Sequence, residues 1–312
     1  MTVPATEPAP TAPKRPDKKP AARHWVEFLA YRGLVSLLRR LPERLSLRLG
    51  EGLGWTIGVV FRIRWATVMD HLSFAFPDKD TRWHRRVARA SFRHLGRESV
   101  ATFWMGGKDA AWIRDRTEMV GLEAMEEALK EGKGLIVVTG HLGNWEMGGA
   151  GIAARGIPLD VIAQRQRNPL FDLDITRNRE SLGMTVVERR DAPKRTLRTL
   201  RAGRGVGIVG DQNVRRGGVF VDFLGRPAST ARGPAIFALR TGAPLFAGSV
   251  RRLPGFPQRY RIEFKRIHVN PSKDLDADVV RLTEAHTRYL EEKVREAPEQ
   301  YFWQHRRWKT QP

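Results

Sequence analysis

Four short apolar runs, residues 135–139 (LIVVT), 159–163 (LDVIA), 184–188 (MTVVE) and 206–210 (VGIVG), set the strongest limit on how this chain folds. Each is the length of a strand and too short for a helix, and three are rich in β-branched residues. Between them, at about 144–155, 171–182 and 193–202, the apolar positions take up helical spacing. Strands alternating with helices of this length form parallel βαβ units, whose strands are covered on both faces and so read as apolar throughout. The expected fold class is α/β: a single domain with a mixed, mostly parallel sheet flanked by helices. Further strands are expected at 218–223, 244–251 and 258–269, and helices at 80–105, 122–131 and 275–297.

Ahead of this pattern the chain changes character twice. Residues 1–23 hold six prolines and five basic residues with little to bury, so a disordered basic tail is expected there, with no apolar stretch to serve as a signal peptide. From 24 to 65, apolar clusters alternate with seven arginines against three glutamates, and tryptophans stand near both ends. That pattern predicts helices that associate with a membrane interface, apolar face in lipid and arginines towards anionic headgroups. Ordinary amphipathic packing on the domain gives the same pattern. No run reaches the ~18 consecutive apolar residues of a spanning helix. The expected organisation is a tail over 1–23, membrane-associating helices over 24–65 and the α/β domain over 66–312.

The 312 residues carry 55 Lys+Arg against 34 Asp+Glu, a formal net charge of +21, which calls for an anionic partner. The absence of cysteine excludes disulfides, thiolate metal sites and a cysteine nucleophile. A nucleic-acid-binding protein is the rival reading of the charge, drawn from the RWHRR and QHRRWK clusters, but no nucleic-acid-binding signature accompanies them.

The first run exits into GHLGNWE, residues 140–146. Residues five apart on a regular helix point about 140° from each other, so His141 and Glu146 cooperate only if His141 lies in the turn. With the strand ending near Gly140 and Asn144 capping the next helix, Glu146 falls in its first turn and can reach back to the imidazole. A carboxylate on one ring nitrogen fixes the tautomer and leaves the other free to take a proton from a hydroxyl. A satisfied loop histidine is the bland alternative, but the carboxyl end of a strand is where open α/β sheets bind ligands. No G-x-S-x-G supplies a serine nucleophile, and no second histidine at metal-binding spacing supplies a zinc site, so neither metal nor other cofactor is expected.

GHLGNWE resembles the His-x4-Asp/Glu signature of the lysophospholipid acyltransferase superfamily, and in particular the bacterial lipid A biosynthesis (lauroyl and myristoyl) acyltransferases. Four further blocks are similar to that family in order and spacing: NPLFDLDITRNRESLG (168–183), GIVGDQN (207–213), FLGRPASTARGPAIFALRTGAPL (223–245) and PEQYFWQHRRWK (298–309). Two departures stand out. Many relatives carry an arginine four residues before the Asn-Pro, where this chain has Gln164 with Arg165 beside it. Relatives often have Asn-Leu ahead of the N-terminal Phe-Pro, where this chain has His71-Leu72.

The resemblance implies an acyltransferase that moves a fatty acyl chain from the thioester of an acyl carrier protein, or acyl-CoA, to a hydroxyl of a lipid A precursor. His141 would be the general base oriented by Glu146, with no covalent acyl-enzyme. Arg165, Arg179 and Asp211 would bind substrate, although a solvated arginine and a turn-capping aspartate are the ordinary readings of such residues. Backbone N–H groups near Gly143 or at the following helix start would receive the developing oxyanion. The partners implied are the acyl donor, a glycolipid acceptor and an anionic membrane surface at the cytoplasmic face of the inner membrane, with no nucleic acid. A relative that acylates phosphatidylinositol mannosides shares the same blocks and is the alternative acceptor class.

Overall fold

The structure, a computed structural model, describes residues 20–312. In chain order the elements are α1 (Ala22–Arg40), α2 (Glu43–Trp55), a π-helical turn (Thr56–Val60), α3 (Trp65–Ala75), α4 (Thr81–Met105), α5 (Ala110–Arg116), β1 (Thr117–Val120), α6 (Leu122–Lys130), β2 (Leu135–Thr139), α7 (Trp145–Ala153), β3 (Leu159–Ala163) and α8 (Pro169–Ser181). There follow β4 (Met184–Glu188), α9 (Ala192–Arg201), β5 (Gly205–Val209), β6 (Val219–Phe223), β7 (Arg226–Thr230), α10 (Gly233–Thr241), β8 (Leu245–Arg252), β9 (Tyr260–Ile267), α11 (Leu275–Glu296) and a 3₁₀ turn (Pro298–Gln300).

Seven strands form one sheet in the order β1-β9-β8-β2-β5-β3-β4. Every neighbouring pair is parallel except β8 and β9, so β1 and β9 run against the other five. The expected mixed, mostly parallel sheet is therefore observed. β6 and β7 make a separate antiparallel hairpin. β2 is central and buried on both faces, and its residues divide with period two. Leu135 and Val137 pack with α5, α6 and α7 residues such as Ile113, Met125 and Met147, whereas Ile136 and Val138 pack with Leu200, Ala235 and Leu282 from α9, α10 and α11. Two helical layers thus enclose the sheet.

A second body of structure closes one end. α3, α4, the β6–β7 hairpin and the chain after α11 share a core in which Phe92, Phe223, Tyr301, Trp303 and Trp308 are buried. α2 lies across α4 at backbone contact: a Cβ on Gly54 would stand 2.1 Å from Phe92 O, and one on Gly96 would stand 2.1 Å from Gly50 O. Only glycine permits that crossing.

Helices do occupy the span expected at 24–65, with α1 beginning at Ala22. Of the tail expected at 1–23, residues 1–19 lie outside the described residues. Large apolar side chains of α1 and the turn before α3 remain in solvent, among them Val26 (70% exposed), Leu29 (63%) and Phe61 (68%). No described helix is long and apolar enough to cross a membrane.

Candidate active site

The site follows from strand register. β2 and β5 are parallel neighbours with Thr139 opposite Val209, so the residues two beyond each strand, His141 and Asp211, meet at the carboxyl edge of the sheet. Asp211 accepts two hydrogen bonds from His141, one from ring Nδ1 at 2.6 Å and one from the backbone N–H at 2.8 Å. A side chain at Gly140 would intrude on this contact, since its Cβ would lie 3.1 Å from the Asp211 carboxylate and 2.5 Å from Leu290.

Burial opposes ionisation of Asp211, but the neighbouring His141, its two donated hydrogen bonds and Arg307 outweigh it and hold the carboxyl down to about 2. An ionised Asp211 can only accept, so the proton of this hydrogen bond sits on Nδ1 of His141. Nε2 is then the basic nitrogen, and the Gln212 side-chain amide lies 3.3 Å from it. Trp145 stands edge-on to the imidazole at 4.6 Å and Phe302 at 5.8 Å, leaving the ring partly open.

The carboxylate that spacing assigned to the ring is engaged elsewhere. Glu146 is in the first turn of α7, as expected, but it faces α8 and chelates Arg179, accepting from Nε at 2.9 Å and from Nη2 at 2.5 Å. The turn at 140–144 directs the imidazole towards β5, so Asp211 takes the orienting position instead. Arg179 is thereby brought to the edge of the His141 cavity. Arg165 is not: it turns to Asp172 (3.3 Å) and Glu188 (3.7 Å), outside the cavity lining. Its neighbour Gln164 does line the cavity and accepts from Arg189 at 3.2 Å, so a guanidinium reaches this point from the end of β4.

Two supports of the His141 turn were not legible in the motif. One is the segment after α11. Gly143 N–H donates to Gln300 O, Phe302 N–H donates to His141 O, and Leu142 bridges Tyr301 as in a two-residue strand pair. Gly143 N–H, expected as an oxyanion donor, is therefore already used. The other support is a buried carboxylate. Asn144 caps α7 by accepting from Met147 N–H, while its amide donates to Glu98 Oε2 at 3.1 Å. Tyr260 OH donates to the same oxygen at 2.7 Å. Burial pushes the Glu98 carboxyl up against the pull of these hydrogen bonds and of Arg252.

From His141 a cavity of about 470 Å³ runs between α7 and the sheet. Its walls are mainly apolar: Val137, Val161, Met184, Ile262 and Phe264 line it together with glycines of α7, β5 and β8. The missing side chains make the space, as at Gly149, where a Cβ would stand 2.6 Å from Met184 Sδ. A volume of this size, with its polar groups gathered at one end, fits one elongated apolar ligand whose reacting end is presented to His141.

Residues 15–310 match the family described as bacterial lipid A biosynthesis acyltransferase. The chain is similar to the lipid A biosynthesis lauroyltransferase of Escherichia coli K12, 29% identical over 297 residues that cover 93% of each chain. It is 23% identical to the lipid A biosynthesis palmitoleoyltransferase of the same organism, again over 93% of each. A phosphatidylinositol mannoside acyltransferase of Mycolicibacterium smegmatis is 27% identical over 165 residues, 52% of this chain and 53% of that one. On a family match that spans nearly its whole length, the chain belongs to the bacterial lipid A biosynthesis acyltransferases and is an acyltransferase.

Proposed function

We propose that the protein transfers a fatty acyl chain from a thioester, carried by an acyl carrier protein or coenzyme A, to a hydroxyl of a lipid A precursor. One observation carries the mechanism: His141 is held through Nδ1 by Asp211, with Nε2 at the mouth of an apolar cavity. The donor chain occupies the cavity and its thioester carbonyl lies beside the imidazole. Nε2 takes the hydroxyl proton as the oxygen attacks the carbonyl carbon. The tetrahedral oxyanion collapses, the C–S bond breaks, and the imidazolium returns the proton to the departing thiolate. No acyl-enzyme forms, which suits a chain without cysteine.

Donors for the oxyanion remain at the start of α7, where the N–H groups of Trp145 and Glu146 have no hydrogen-bond partner among the described residues and the helix dipole is positive. Glu146 acts through Arg179, which it holds beside the cavity as a cationic contact for substrate. Gln164 with Arg189 supplies a second polar contact. The exposed apolar residues of α1 and of the turn before α3 rest in the anionic cytoplasmic face of the inner membrane, where both the donor and the lipid acceptor are reached. A phosphatidylinositol mannoside acceptor is the second reading, and the similarity to the M. smegmatis enzyme favours it.

The test is transfer of radiolabelled acyl chains by purified enzyme from acyl carrier protein and from coenzyme A, each offered a lipid A precursor and a phosphatidylinositol mannoside. Transfer to the lipid A precursor that requires His141 supports the proposal. Transfer to the mannoside alone replaces the acceptor, and no transfer with any pair ends the reading.

A further inference from the structure

A second cavity, of about 650 Å³, lies on the other side of Phe302 from the first. Its apolar wall comes from three places in the chain: Leu34 and Leu38 of α1, Leu53 of α2 with Ile57 of the π-helical turn that follows it, and Phe92 and Leu95 of α4. Four cations line it, Arg64, Arg215, Arg306 and Lys309, and no acidic residue does. All four are exposed, and none has an ion-pair partner among the described residues. This sets them apart from the arginines around Glu146, Asp172 and Glu98, which are paired.

These cations stand on backbone that is held in place. His305 Nε2 accepts from Asn213 N–H at 3.0 Å, and Asn213 and Thr310 exchange two further hydrogen bonds, so the loop bearing Arg215 and the segment bearing Arg306 and Lys309 are tied together. Arg64 caps α3 with φ 65, a left-handed conformation that a side chain adopts only at some cost. Asn213 lines both cavities, and Phe302 separates the second from the His141 ring.

We propose that this cavity seats the existing acyl chains of a phosphorylated lipid, with the phosphate on Arg64, Arg215, Arg306 and Lys309, and so presents that lipid's hydroxyl to His141. An apolar groove beneath unpaired cations complements an apolar tail beneath an anion; a neutral lipid would leave the cations without a counter-charge, and free phosphate would leave the groove empty. The two cavities then divide the substrates, donor chain beneath α7 and acceptor chains between α1, α2 and α4. This division rests on the acyl transfer proposed above, whereas the binding site itself does not.

The test measures binding to the purified full chain by calorimetry, using dioctanoyl phosphatidic acid, the phosphate-free dioctanoylglycerol and inorganic phosphate below micellar concentrations. Phosphatidic acid should bind at least tenfold more tightly than either of the others. Arg306→Ala with Lys309→Ala should remove that preference. Ser99→Trp, placed at an exposed position on the α4 wall, should weaken both lipids tenfold or more, with thermal unfolding confirming that each variant folds. Equal binding of the two lipids, phosphate binding as tight as phosphatidic acid, or indifference to both variants would overturn the proposal. Because no turnover is measured, a lipid that binds as described without being acylated would count against the transfer reading and leave the site standing. In enzyme that does turn over, an unchanged KM for a phosphorylated acceptor in the Arg306→Ala, Lys309→Ala variant would count against the site alone.

Discussion

Asp211 grips His141 twice, accepting one hydrogen bond from ring Nδ1–H at 2.6 Å and another from the backbone N–H of the same residue at 2.8 Å. The second bond makes the first directional: with the backbone fixed to the carboxylate, the imidazole has one way to turn. Replacing His141 with Ala should lower acyl transfer by about 10²–10⁴-fold, the usual cost of a lost general base. Asp211→Asn should cost a comparable factor, because an amide can donate to Nδ1 and stabilise the wrong tautomer. Radiolabelled transfer measured alongside thermal unfolding checks both, and near-normal turnover by a folded His141→Ala enzyme would withdraw the mechanism.

The Glu146–Arg179 pair is largely shielded from solvent, with side chains 14% and 20% exposed. Glu146→Ala should destabilise the protein by about 1–3 kcal/mol, because it strands a mostly buried cation. The double variant Glu146→Ala, Arg179→Ala should be no less stable than Glu146→Ala alone. Denaturant unfolding of the full cycle checks this; additive losses would mean that the two side chains are energetically independent. Some acyl transfer should survive in Glu146→Ala, since His141 keeps Asp211.

The cavity beneath α7 predicts a size effect. Gly207→Leu places a branched side chain where a Cβ would already stand 3.3 Å from Val161. Turnover with a fourteen-carbon donor should fall at least tenfold relative to an eight-carbon donor, as competition assays would show. An unchanged ratio would move the donor chain out of this cavity.

Acid stability should depend on buried neutral histidines. Burial, reinforced by Arg307, lowers His286 to about 4, and burial lowers His305 to about 4 and His94 to about 3. Each folded value lies below the unfolded value near 6.5, so the unfolded chain takes up protons first as pH falls. Their contribution is complete above about pH 6.5 and is lost progressively as the pH drops through 4 and, for His94, through 3. His286→Leu should therefore flatten the fall in stability between about pH 6 and pH 4 by about 1.4 kcal/mol per pH unit. Identical slopes for the two proteins in pH-dependent denaturant titrations would refute this.

Membrane attachment is best tested by charge rather than by deletion. Removing residues 1–65 would take away α2, Gly54 included, and expose the face of α4 at Gly96 on which it packs. Leu29→Glu, Leu37→Glu and Phe61→Glu change only exposed positions. Together they should release the protein from anionic vesicles in a sedimentation assay with little change in Tm; full retention would place the anchor elsewhere.

The four apolar runs announced their strands because burial on both faces demands uninterrupted apolar sequence. β1, β7 and α10 announced nothing. β1 is a four-residue edge strand whose partner β9 lies about 140 residues downstream. β7 contains Pro227, and its hairpin turns on Leu224 and Gly225, both at positive φ, without the Asn-Gly signal of such turns. At the site, His141 and the capping Asn144 could be read locally. The partner of His141 could not, since Asp211 is 70 residues away and only the β2–β5 register brings it there. Spacing favoured Glu146 because proximity in sequence was visible and the direction of the turn was not. Glu98 carried no motif: it is one polar residue on an amphipathic helix, and its hydrogen bonds come from Gln258 and Tyr260, just before and at the start of β9 and about 160 residues away.

The clasp between residues 300–302 and the loop at 141–143 also has a bearing on how the enzyme is made. During synthesis the α/β layers can pack as soon as β9 and α11 have emerged, yet Gly143 N–H and His141 O still lack the partners that Gln300 and Phe302 bring. A growing chain can thus hold a complete sheet while the 141–143 loop is still open on one side, and that loop closes only once the stretch after α11 has folded back onto it.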